Sequence, residues 1–281
     1  MIRFVFSILH ISVVQLRSLK ALLAICLFAG SGAVAACDHT LKFGMVSYPP
    51  YIGFDADGKA YGLDADILDH VMRGAGCDYV LREVPFKRAL RDVHLGDLDG
   101  IPGVSRTPDR LKGAYFTLPI RREFIGAYAR KGDSGVAHIR SFDDMVAAKN
   151  KIGIVLGGWY GKAFMDAFEN NPAFHARIQN SEDFLTLFRR LDAGVIDIAI
   201  GDLLSGHHIS MAHGMQRRLE PMSAPVNIND VYLMLSKKTI RPQDLETINA
   251  AIERLESSAA YDRIMKAHAP DAIAALLRLR R

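Results

Sequence analysis

No stretch of about 20 apolar residues, the length a helix needs to cross a bilayer, occurs in the 281-residue sequence. Cysteine is scarce as well, three residues in all, which excludes a dense disulfide scaffold. A strong charge of one sign is missing: 35 basic residues stand against 31 acidic ones, a formal +4. Three of the basic residues, Arg3, Arg17 and Lys20, fall in an opening segment that holds no acid; without them the balance is 32 against 31, or +1. A nucleic-acid or anionic-membrane partner therefore loses its main support. There is no 20–50-residue repeat, no low-complexity block and no Gly-x-Ser-x-Gly elbow. Gly157-Gly158-Trp159-Tyr160-Gly161-Lys162 is not a P-loop, because Leu156 takes the place of the first glycine and Ala163 that of the magnesium-holding Ser or Thr. What is present, 49% hydrophobic and 23% charged residues, suffices for a real core and argues against disorder.

Residues 1–36 read as a secretory signal. A charged region around Arg17 and Lys20 precedes the apolar run 21–29, and Ala33-Val34-Ala35-Ala36 offers an A-x-A cleavage site. A membrane anchor is the competing reading, since the apolar character also extends back through residues 4–14, but Arg17 to Lys20 split the two runs. Export leaves Cys37 and Cys77 in an oxidising compartment, where a bond between them is the first expectation, closing a loop of about 40 residues. Val34-Ala35-Ala36-Cys37 also passes for a loose lipobox, in which case Cys37 carries lipid and Cys77 stays free.

Past Cys37, strand and helix patterns alternate. Residues 40–46, 79–84 and 100–104 read as strands, and helical spacing puts Ile67, Leu68, Val71 and Met72 on one face. Past Asp133 the grammar starts again, with strands at 151–156 and 196–200 and helices at 161–168 and 182–191; a strand at 231–235 and a helix over 244–266 follow. The alternation predicts a mixed α/β protein with helices flanking the sheet.

Four motifs follow one another in order: Tyr48-Pro49-Pro50-Tyr51, Gly62-Leu63-Asp64-Ala65-Asp66, Gly96-Asp97-Leu98-Asp99 and, above all, Ser105-Arg106-Thr107-Pro108-Asp109-Arg110. Together they resemble the periplasmic solute-binding proteins of the polar-amino-acid type, family 3. The resemblance implies a type II two-lobed periplasmic-binding-protein fold, each lobe a mixed sheet flanked by helices, joined by two hinge strands. Lobe one would be residues 37–129 plus the return over 230–281, and lobe two residues 130–229. It further implies an amino acid or related carboxylate held in the cleft without a cofactor, and delivery to the permease of an ABC importer. A monomer is expected.

A dry cleft holds a zwitterion only with a fixed cation and a fixed anion. Arg110 matches the family's carboxylate-binding arginine, and Ser105 adds a hydroxyl or N–H; the bland alternative for Arg110 is a surface ion pair with Asp109. Asp202 matches the acid for the ligand's ammonium, and equally suits an N-cap ahead of Leu203-Leu204. The turn at Gly158 offers N–H groups to an anion. Trp159 caps the ligand or covers the hinge. Tyr48 and Phe86 match aromatic walls, or are core. Gly103 lacks the hydroxyl often found there, and Val46-Ser47 lacks the acid of basic-amino-acid binders, which speaks against lysine or arginine. An enzyme needs a cleft acid of shifted pKa, and near the matched positions only Asp202 and Glu83 offer one, so no enzyme is expected. A metal site at His207, His208 and His213 has the wrong spacing. A sensor or dehydrogenase accessory role shares the fold and differs only in partner.

Overall fold

The computed structural model describes residues 37–279; residues 1–36, over which a secretory signal is expected and which hold the third cysteine, Cys26, lie outside the described residues. Strand β1 (Leu41–Met45) is buried at four of five positions, as a strand covered on both faces must be. It pairs in parallel with β4 (Tyr79–Glu83) and β5 (Gly100–Ser105). A small hairpin, β2 (Gly53–Phe54) with β3 (Ala60–Tyr61), leads into helix Leu63–Ala75, whose Ile67, Leu68, Val71 and Met72 are all buried as their spacing predicts.

The organising strand is β6 (Ala114–Arg130), 17 residues long. Over 114–125 it runs antiparallel to β11 (Asn227–Ser236), which also pairs with β5. From Ile125 to Tyr128 it pairs instead with β9 (Ile198–Asp202). Beyond β9 lie β7 (Ile152–Val155) and β8 (Ile178–Ser181) in parallel, and β10 (Leu219–Pro221) adds to β6. The sheet order is thus β4-β1-β5-β11-β6-β9-β7-β8, with β6 belonging to both halves.

The apolar cores sort the same way. One joins helices Leu63–Ala75, Pro242–Glu256, Ala259–His268 and Asp271–Leu277 to β1 and β11, and a second covers the other face beneath helix Phe86–Leu95. Two more flank β7 and β9. Cys37 and Cys77 are joined, tying the entry to β1 to the end of helix Leu63–Ala75. That bond uses the Cys37 thiol that a lipid would need.

One element differs from its sequence reading. Residues 244–266 are two helices, interrupted at Ser257-Ser258. The Ser258 hydroxyl donates to the Leu255 carbonyl and accepts from the Ala260 N–H, so it closes one helix and caps the next. Among the described residues no helix is long and apolar enough to cross a membrane.

Candidate ligand-binding cleft

Ser105 ends β5, and Thr107 caps the short helix Pro108–Gly113 by accepting from the Arg110 N–H, with Pro108 in the first turn. This local chemistry carries the Arg110 side chain back over the strand end. Its Nη1 donates to the Ser105 carbonyl at 2.7 Å, and the guanidinium lies 5.4 Å from the Phe86 ring centroid. Asp109 pairs with Lys112 at 2.6 Å, not with Arg110. Burial lowers the Arg110 pKa, and Glu123 is the opposing charge that acts on it. Among the described residues no carboxylate forms an ion pair with Arg110.

Behind it sits an ion pair that is almost dry. Arg121 donates from Nε and Nη2 to the two oxygens of Asp64, at 2.6 and 2.8 Å, with the two side chains 1% and 3% exposed. Its third nitrogen donates to the Arg122 carbonyl, and the Tyr51 ring lies 3.7 Å from the guanidinium carbon. Gly103 adopts φ +70°, and a side chain there would fall on the Asp64 carboxylate. The missing hydroxyl at position 103 is therefore the space that Asp64 occupies.

Tyr51 reaches across to the second half of the molecule. Its hydroxyl donates to the Asp202 carboxylate, 2.8 and 2.9 Å from the two oxygens. Asp202 also caps helix Leu203–Ala212, accepting from the Ser205 N–H at 2.8 Å, and has no exposed surface. Ser205 donates to the Pro49 carbonyl, while Tyr48 stacks on Tyr51 and leans on Phe184, both at 5.5 Å between centroids. In the turn after β7, the Gly158 N–H is taken by the Val155 carbonyl, Trp159 is half-buried, and the Tyr160 hydroxyl is held by Val155. Gly161, at φ +95°, leaves room for the Asn227 side chain.

Glu123, partly accessible on β6, is the acid that the sequence reading missed. It stands opposite Asn229 of β11, whose Nδ2 shares its two hydrogens among Glu123 Oε2 and Ser105 Oγ, each at 3.2 Å, and the Asp230 carbonyl at 3.1 Å; Asn227 orients Asn229 by donating to its Oδ1. Burial and the Asp202 charge push the Glu123 carboxyl up to about 7, against the pull of Arg121. Asp202 is itself raised by burial. A carboxyl that holds its proton more tightly folded than unfolded stabilises the fold below its unfolded pKa and loses that contribution as pH rises through the folded value. The ligand-free protein is therefore expected to melt at lower temperature as pH rises from 5 to 8, and Glu123→Gln to flatten that slope. Parallel wild-type and variant profiles would remove Glu123 as the cause.

The structure thus brings Phe86, Ser105 and Arg110 together, places Gly103 against Asp64, and joins Tyr48 to Asp202 through Tyr51. Gly158 and Trp159 sit on the β7 turn, which approaches from the other half: a side chain at Gly157 would meet Lys87, next to Phe86. Glu83 is exposed on the edge strand β4, away from this cluster. Asp64, Arg121, Glu123, Asn229 and Tyr51 were not singled out by sequence reasoning. The run of three charged residues, Arg121-Arg122-Glu123, between apolar neighbours was the available signal. His207 and His208 lie on helix Leu203–Ala212, and among the described residues no three His, Cys, Asp or Glu side chains gather as metal ligands.

The family model described as bacterial extracellular solute-binding proteins, family 3, matches residues 41–270. Similar solved structures include a histidine kinase sensor domain with similarity to periplasmic binding proteins, at 17% identity, covering 83% of this chain and 96% of that one, TM-score 0.69. Another is the arginine-, lysine-, histidine-binding protein of the thermophilic bacterium Geobacillus stearothermophilus, at 19% identity, 82% and 95% coverage, TM-score 0.66. A third is an ancestral amino acid-binding protein, a precursor of cyclohexadienyl dehydratase, at 19% identity, 82% and 94% coverage, TM-score 0.65. At such identities the likeness is one of fold, the two-lobed periplasmic-binding-protein arrangement. No curated protein matches the chain.

Proposed function

Because the chain belongs to the bacterial extracellular solute-binding proteins, family 3, we propose that it is an extracytoplasmic receptor for a small zwitterionic or carboxylate ligand, foremost an amino acid. The ligand sits between the halves that β6 and β11 connect, the halves close on it about those strands, and the loaded protein docks on an ABC permease. The observation that carries this reading is Arg110, a largely buried guanidinium with one hydrogen bond to a backbone carbonyl and no acidic partner among the described residues. Its planar fork can hold both oxygens of a carboxylate, with Ser105 beside it, Phe86 and Tyr48 as walls, Gly103 giving the Asp64 carboxylate its room beneath, and Gly158 and Trp159 closing from the second half. Asp202 and Glu123 make the opposite side acidic. Each charged hydrogen bond is worth about 1.5–3 kcal/mol, which with apolar contact reaches micromolar affinity.

A thermal-shift screen of amino acids, short carboxylates and amines tests it. Ligand at a hundred times its dissociation constant is expected to add about 2.7 kcal/mol of stability. Arg110→Ala should erase the shift of every carboxylate-bearing hit; an undiminished shift would take Arg110 out of the site.

Glu123 favours one second reading, an enzyme of dehydratase type, since a carboxyl that keeps its proton near neutral pH suits a general acid. Product accumulating beyond one equivalent per protein separates turnover from binding. A sensor or accessory partner in place of the permease leaves the cleft chemistry unchanged.

A further inference from the structure

We propose that Glu123, not Asp202, is the acid that contacts the cationic group of the ligand, with Asn229 as the neutral link that sets its distance from Arg110. The inference deepens the reading above and rests on it. Asp202 is poorly placed to meet a ligand: it has no exposed surface, Ser205 and Tyr51 supply its hydrogen bonds, and a ligand ammonium would have to displace the Tyr51 hydroxyl. Glu123 keeps accessible surface, and its one hydrogen-bonding side chain among the described residues is the neutral amide of Asn229. Arg121, its cationic neighbour along β6, is already spent on Asp64 and the Arg122 carbonyl. Ser105 ties the two charges together: its backbone carbonyl accepts from Arg110 at 2.7 Å, while its hydroxyl and Glu123 Oε2 each lie 3.2 Å from the Asn229 amide nitrogen. A cation without an acid and an acid without a cation thus flank one residue pair, as a zwitterion requires.

Asp64 pairs with Arg121, which leaves Arg110 for the ligand carboxylate and Glu123 for the ligand ammonium. The groups turned toward Glu123 from the surrounding elements are Tyr48 and Tyr51 of the first loop, Asp64 of helix Leu63–Ala75, Arg110, Arg121 of its own strand, Tyr160 of the β7 turn and Asp202 of β9. Glu123 holds its proton up to about pH 7 because burial and the Asp202 charge oppose its ionisation. A ligand ammonium takes the place of that proton, Glu123 ionises, and the proton passes to solvent.

The test uses calorimetric titration of the mature protein with L-amino acids that bind it, each compared with the 2-hydroxy acid of the same side chain. The wild type should prefer the amino acid, and at pH 6 binding should release close to one proton, read from buffers of different ionisation enthalpy. Glu123→Gln should reduce the preference by about 10–100-fold and abolish proton release, while Arg110→Ala weakens amino acid and hydroxy acid alike. Preference and release that persist in Glu123→Gln but vanish in Asp202→Asn would overturn the assignment and leave the receptor reading standing. Should Glu123→Gln not fold, proton release by the wild type decides alone, and its absence counts against Glu123. Failure of every probe to bind the wild type would overturn both readings.

Discussion

Arg121→Ala is expected to destabilise the protein by about 3–5 kcal/mol, because it strands the Asp64 carboxylate in a place that water does not reach. For a chain of this size that is a fall in melting temperature of about 6–20 °C. Asp64→Ala should cost a similar amount, leaving a buried guanidinium whose remaining partners are the Arg122 carbonyl and the Tyr51 ring. The pair is not stabilising merely because it is charged: desolvating two ions offsets much of their attraction, so Arg121→Met combined with Asp64→Leu should recover most of the loss. Gly103→Ala belongs to the same series, since its new methyl group would fall on the Asp64 carboxylate and its backbone sits at φ +70°. Urea denaturation of the four variants is the measurement, and an Arg121→Ala cost under about 1 kcal/mol would show that water reaches Asp64 after all. The pair also bears on function. Arg121 supports the ring of Tyr51, whose hydroxyl crosses to Asp202, so its loss loosens the contact between the two halves.

That network explains why the site was only half legible in the sequence. Arg110 could be placed because the family motif that carries the resemblance, Ser105 to Arg110, lies whole within six consecutive residues. Helix Leu63–Ala75 could be placed from the spacing of its apolar face. Glu123 and Arg121 belong to a strand that changes partner at Ile125, and their chemistry depends on residues far along the chain: Asn229 by register with β11, Asp64 from a helix 57 positions away, Asp202 from the second half. No local pattern encodes those meetings. Gly103 shows the same limit from the other side, since a missing hydroxyl read as a departure from the family is the clearance another side chain needs. Where one helix was expected and two are found, the determinant is again local, the hydroxyls of Ser257 and Ser258 competing for backbone partners, but it is a weaker signal than the apolar periodicity running through it.

Reduction of the Cys37–Cys77 bond is expected to cost about 4 kcal/mol, since it releases a loop of 40 residues in the unfolded chain. The loop contains β1, the Tyr48–Tyr51 turn, the β2–β3 hairpin and helix Leu63–Ala75, which is to say Asp64 and the tyrosine that reaches Asp202. Both cysteines are buried against the core that unites β1 with helices Leu63–Ala75 and Pro242–Glu256. The paired substitution Cys37→Ala with Cys77→Ala should therefore lower the melting temperature by about 8–16 °C, while the ligand affinity of the molecules that remain folded changes little, because the bond lies at the far end of β1 from Arg110 and Glu123. Comparing denaturant midpoints of oxidised and reduced protein checks the first expectation, and titration below the transition checks the second. A loss of affinity as large as the loss of stability would mean that the loop also sets the position of Tyr51 and, through it, the geometry of the acidic side of the cleft.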